Sequence, residues 1–242
     1  MKHFIILFLT IPIAEASGQQ TNEWLEKLEN PEFVNWELKK ENVISDYLKH
    51  DFSDLLMPEQ HVLGYIGANY RRIKVTFSAV EKNTTLPNVY YLSGSTTVSN
   101  NKCDFEGTIT VEQIREFKQL HYGVDDMYKD HGIKSQGILI GRYLFNENPG
   151  QTHVGIFQGV MTLWWYLDKN GRVQYDNLEN HSDRFRNNQY VGTWTEYGKL
   201  LSKPCNWGEY RIPLSGDLDI GAGEFSVNPK YYGVGWAEFR EN

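Results

Sequence analysis

The sequence predicts an all-β protein: a curved antiparallel β-barrel of about eight to ten strands, with amphipathic N-terminal helices packed on it. Three observations predict this. First, one short pattern recurs as Leu92-x-Gly94 with Thr97, Phe105-x-Gly107 with Thr110, Phe157-x-Gly159 with Thr162, and Tyr190-x-Gly192 with Thr195. An apolar residue also stands four after the glycine in the first three copies: Val98, Val111 and Leu163. These even offsets put the apolar residues and the glycine on one face of a strand and the threonine on the other. Second, glycine inside a strand marks a bend, a bulge or the close approach of something large, so its repetition says the sheet curves. Third, strand-like runs alternate with short polar turns over most of the chain.

The first residues read as an export signal. Lys2 precedes a short apolar core, Phe4 to Ile13, and Ala14-x-Ala16 forms a small-residue cleavage site. Cleavage is expected after Ala16, or after Gly18. The apolar stretch falls short of the roughly 20 residues of a membrane-spanning helix. Residues 17–58 are expected to be helical: a short helix around Trp24 to Leu28, then a second starting at Pro31 and ending before Pro58. Val43, Ile44, Tyr47 and Leu48 form the apolar stripe of the second helix.

The barrel domain is expected over 59–242. Ile73, Val75, Phe77 and Ala79 alternate with polar neighbours, and the strands Val89–Val98 and Cys103–Val111 complete a meander. Gly137–Phe145 and His153–Leu167 follow, then a hairpin at Asp168 to Gly171 into Val173–Leu178. Gln189–Tyr197 and Trp207–Ile212 close the set. The strand from His153 is apolar on both faces, so an interior on one side and the N-terminal helix on the other should cover it. Between Phe117 and Gln136 the alternation lapses; a lid over a barrel mouth is the preferred reading, a plain surface excursion the other.

Charge and composition exclude several partners. Lys+Arg number 24 against 31 Asp+Glu, a net charge of -7 without a basic run, which argues against nucleic acid or anionic membrane. A mean hydropathy of -0.54 argues against membrane insertion. Cys103 and Cys205 could pair in an oxidising compartment or stand apart as buried thiols; the sequence leaves both open.

No catalytic signature is present: no G-x-S-x-G elbow, H-E-x-x-H, Walker-type loop or C-x-x-C. No cofactor or metal is expected; His121, Asp125, Asp126 and His131 make only a loose set of the kind solvated loops hold. The candidate ligand-binding residues are of two kinds. Asp217, Asp219 and Glu224 lie in a glycine-rich run that reads as a carboxylate site or as a tight turn whose aspartates accept backbone N–H bonds. Glu196 falls in phase with Tyr190, Gly192 and Trp194 on the glycine face, with Arg211 as its candidate partner, unless the strand ends early and frees it to solvent. Trp164, Trp165 and Trp194 could form a stacking platform or fill the core.

NNQYVGTWTEYG from Asn187, CNWG from Cys205, GDLDIGAGEF from Gly216, HYGVDD from His121 and CDFEGTIT from Cys103 together resemble a family of uncharacterised secreted bacterial proteins. That resemblance implies no activity, cofactor or residue role. The meander also looks like lipocalin-type barrels, but departs from them: no G-x-W stands near the first strand, and Gly192-x-Trp194 lies late. The expectation is an exported, periplasmic or extracellular barrel that binds a glycan or lipid-like small molecule without catalysis. The alternatives are a glycan-directed hydrolase using a carboxylate pair, and a protein-interaction module of the cell envelope.

Overall fold

A computed structural model describes residues 13–29, 36–58 and 62–240. The strands are β1 (Val62–Ile66), β2 (Arg71–Lys82), β3 (Val89–Val98), β4 (Asn101–Glu116), β5 (Ser135–Glu147), β6 (Gly155–Leu167), β7 (Val173–Tyr175), β8 (Asn187–Glu196) and β9 (Ser202–Glu209). The ladder β1-β2-β3-β4-β5-β6-β8-β9 is antiparallel throughout, and β9 returns to β1, so these eight strands close into an up-and-down barrel. Closure leaves no free edge among them. The short β7 is the extra strand; it pairs with β6 at Trp165–Leu167, beyond the stretch that β8 covers.

The repeated glycines sit where aromatic side chains press on the backbone. Cross-strand rows place Gly94 beside Phe77 and Phe105, and Gly107 beside Leu92 and Phe145. A Cβ on Gly94 would stand 2.6 Å from Phe105 Cζ. Gly159 and Gly192 face each other across β6 and β8, and the Tyr143 hydroxyl lies over both, 2.9 and 2.5 Å from where their Cβ atoms would be. Glycine here makes room for aromatic rings inside a tightly curved sheet. The rings of Tyr143, Phe145, Phe157, Tyr190 and Trp207 pack along the axis, with Tyr190 and Trp207 stacked at 5.1 Å.

Both faces of β6 are covered, as the pattern requires. Phe157, Met161, Leu163 and Trp165 belong to the interior. Val160 packs outside against Trp24 of α1 (Ile13–Glu29), together with Val191 of β8. The expected cleavage point after Ala16 falls within α1. Among the described residues no helix is long and apolar enough to cross a membrane.

The expected second helix does not run as one element. Pro31 lies outside the described residues, Leu38 bridges Phe117 in extended form, and only single turns are helical, α2 (Ile44–Tyr47) and α3 (Ser53–Leu56). Tertiary burial overrides the helical stripe. Tyr47, Phe52, Leu55 and Leu56 insert into the interior cluster at the end of the barrel where β6 finishes. Tyr47 and Phe52 pack on Trp165, and the Phe52 N–H donates to Tyr90 Oη at 3.2 Å. Residues 43–57 are therefore a plug, and of the expected helices α1 is the one that lies on the outer wall.

An up-and-down barrel gathers alternate turns at opposite ends. The β1–β2, β3–β4, β5–β6 and β8–β9 turns lie away from the plug. Residues 117–134 connect β4 to β5 at the plugged end, so they do not lid the open mouth. His121 of that segment stacks on Trp36 at 4.1 Å.

Candidate binding cavity at the open mouth

Interior-facing residues at the unplugged strand ends have no further layer above them. They line an open cavity of about 840 Å³. Its floor and inner wall are Phe157, Trp194, Cys103, Thr96 and Glu147; Arg71, His153, Glu196 and Lys203 stand around the rim.

Glu147 organises the floor. It continues the interior phase of Leu139, Gly141, Tyr143 and Phe145 and sits in the row Phe77–Gly94–Phe105–Glu147. Its side chain is buried, with the residue 3% exposed. Thr96 Oγ1 donates to Oε1 at 2.7 Å, while the Gly155 N–H and Trp194 Nε1 each donate to Oε2 at 2.8 Å. One carboxylate thus ties β3, β6 and β8 to β5 at the mouth. Burying a charge demands such bonds. Burial pushes the Cys103 and Cys205 thiols up, and the Glu147 charge adds to both shifts.

Glu196 reaches the same cavity. Strand β8 continues to it without a bulge at Trp194, and Glu196 pairs across the sheet with Gly155. Its side chain is 33% exposed, and its oxygen lies 3.8 Å from His153 Nδ1. Lys203 Nζ stands 5.0 Å over the Trp194 ring, while Arg71 donates to Ser99 Oγ at 3.1 Å.

Of the candidate ligand-binding residues, Trp194 and Glu196 meet in this cavity and the others do not line it; Cys103, expected only as a thiol or a disulfide partner, joins them on its floor. Trp165 is fully buried beneath the plug, and Trp164 packs on the outer face against Trp36 and Phe117. The expected Arg211–Glu196 pair is not formed. Arg211 instead bridges Asp219 at 2.7 Å and donates to the carbonyls of Gly221, Gly223 and Glu224. The reason is chain geometry: the glycine-rich loop folds back beside Arg211 and supplies acceptors locally. Asp219 Oδ1 accepts the N–H groups of Gly221 and Ser226, which is the turn reading of that run. Asp217 is exposed and bound by Lys230 and Tyr231, and Glu224 is exposed.

Cys103 and Cys205 are both free and buried. They stand on β4 and β9, which are diametrically opposite in an eight-stranded ring, and a disulfide needs Cβ atoms about 4 Å apart. Asn101 Nδ2 donates to the Cys103 sulfur at 3.1 Å, and the thiol faces the Thr152 carbonyl at 3.5 Å.

Glu147 itself escapes the sequence reading because the expected strand ends at Phe145. Two more residues of alternation would have placed it inside, but Asn146 to Gln151 is rich in turn formers. No family model, curated protein or solved structure matches this chain. The resemblance seen in the sequence accordingly assigns no family and no residue role.

Proposed function

We propose that this protein is an exported, non-catalytic binding barrel that takes a small molecule into its open mouth. The observation that carries the reading is the cavity of about 840 Å³ sitting on a closed barrel. Ligand pockets commonly occupy about 300–1,000 Å³ at such mouths, with a few polar groups set among apolar walls. Phe157 and Trp194 supply the apolar wall, and Glu147, Glu196 and Arg71 the polar groups. The aromatic stack below leaves a long lipid chain no path along the axis, which favours a compact polar ligand or a saccharide unit.

The test is native mass spectrometry of the purified protein after incubation with cell-envelope and metabolite extracts. A captured small molecule is expected, and its loss in Ala68→Trp, where an exposed turn residue at the mouth becomes bulky, places it. Failure to capture any compound refutes the reading. Export to the periplasm or beyond is checked by N-terminal sequencing of the mature protein, with a start at Ser17 or Gln19 expected.

A second reading has one observation in its favour. Glu147 and Glu196 flank Gly155 in a single row and bring two carboxylates into one cavity, as glycan hydrolysis requires. Turnover of any member of a glycan panel, abolished in both Glu147→Gln and Glu196→Gln, would favour the hydrolase.

A further inference from the structure

The hydrogen-bond inventory of the cavity floor is one-sided. Each donor there is already committed: Thr96 Oγ1, Trp194 Nε1 and the Gly155 N–H all point at Glu147. The Cys103 thiol is directed at the Thr152 carbonyl. What remains for a ligand is acceptors. A carboxylate offers about four acceptor positions, of which Glu147 uses three, and a hydroxyl that donates keeps its own lone pairs.

The charge inventory is one-sided too. The Glu147 carboxylate accepts from three neutral donors, and among the described residues no Lys, Arg or His pairs with it. A buried carboxylate without a counter-charge is costly, and an incoming cation would relieve that cost. An anion at the floor would meet Glu147 with no donor to receive it. The firm positive charges, Arg71 and Lys203, are exposed at the rim, where Glu196 faces His153. The carboxylate without a counter-charge lies deep, while both firm positive charges stand outside, on a rim they share with Glu196.

We propose that the ligand carries a primary ammonium group that docks on Glu147 and Thr96, with an anionic group turned outward to Arg71 and Lys203. A free α-amino acid, or a small zwitterion of that form, is the class that fits. The inference rests on the binding reading above and names the ligand class for that same mouth. The three ammonium protons meet the spare lone pairs of Glu147 and Thr96, with the Phe157 ring in the wall beside the cation and the Trp194 ring already under Lys203 Nζ.

The test is isothermal titration calorimetry at neutral pH with three matched probes: phenylalanine, phenethylamine and 3-phenylpropanoate. Phenylalanine is expected to bind tightest, phenethylamine next, and 3-phenylpropanoate not measurably. Glu147→Gln should weaken the two amines at least tenfold. Its amide oxygen can still accept from Trp194 and Gly155, and the Thr96 hydroxyl can turn to accept from the amide nitrogen, so thermal unfolding should change little. The probe ranking needs no variant and decides the question even where Glu147→Gln fails to fold. Binding of 3-phenylpropanoate as tight as that of phenethylamine, unchanged binding by a folded Glu147→Gln, or binding of phenethylamine to Ala68→Trp overturns the assignment. No binding of any probe overturns it too. A compound without an amine, captured from an extract by the native protein and not by Ala68→Trp, overturns the ammonium claim yet leaves the mouth a binding site; no capture at all removes both.

Discussion

Replacing Gly192 by alanine perturbs the barrel where two glycines face each other across β6 and β8. The new methyl group would stand 2.1 Å from Gln158 O and 2.5 Å from Tyr143 Oη, against an ordinary contact of 3.4 Å or more. The carbonyl belongs to the neighbouring strand, so β8 must move roughly 1.3 Å away from β6, the difference between 3.4 and 2.1 Å. Overpacking of this kind costs about 3 kcal/mol at the upper end of its usual range. Distorting one ladder hydrogen bond costs about 1 kcal/mol more. Against that, alanine loses less backbone freedom than glycine on folding, a gain of about 1 kcal/mol. The net is about 3 kcal/mol, or a melting temperature lowered by about 6–12 °C for a domain of this size. Urea unfolding followed by tryptophan fluorescence measures it. Gly233→Ala is the control: its Cβ would meet nothing within 4 Å, and a change within about 0.5 kcal/mol is expected. A Gly192→Ala protein as stable as that control would refute the claim that glycines seat the aromatic rows.

Three further outcomes follow from buried groups. The Tyr143 hydroxyl is buried without a partner, so Tyr143→Phe should leave stability unchanged or raise it by about 1 kcal/mol; a loss beyond about 1 kcal/mol in urea unfolding would contradict this. Burial pushes the Asp176 carboxyl from its ordinary 3.8 up to about 7, against the opposing hydrogen bonds from the Leu178 N–H and Gln136. The native state then binds more protons than the unfolded chain between those values, so stability falls as pH rises through that window and levels off above it. The fall is bounded at about 4 kcal/mol, and Asp176→Asn should abolish it in a pH series of unfolding free energies; an unaltered slope speaks against the assignment. Because Cys103 and Cys205 are free, dithiothreitol should not shift the melting temperature, and a thiol reagent should label Cys205, which lies in the interior cluster and not in the cavity wall, only in denaturant. Rapid labelling of Cys205 in the native protein would show that this thiol is not buried.

The barrel is legible in the sequence because its strongest constraint is local. A glycine two positions from a bulky residue records the ring that presses on it, and Phe105 over Gly94 is such a record. The two apolar faces of β6 likewise announce a helix outside and a core inside. Strand β1 is missed because it is only five residues long and shows no alternation, its far end being buried on both faces. The plug is misread as a helix because Val43, Ile44 and Tyr47 keep helical spacing over a single turn, while the barrel end decides where Phe52 and Leu56 go. The site is less legible than the fold. Trp194 and Glu196 announce themselves by phase, but Glu147 hides behind a turn-like sequence, and the Arg211–Asp219 pair depends on a loop fold-back that no periodicity encodes.

The most direct measurement is the response of the Trp194 indole N–H resonance, assigned through Trp194→Phe, during titration with phenethylamine. That proton is bonded to Glu147, so docking of an ammonium on the carboxylate should move it more than any other indole signal. A Trp194 signal that stays fixed while the Trp165 indole beneath the plug shifts would contradict the account.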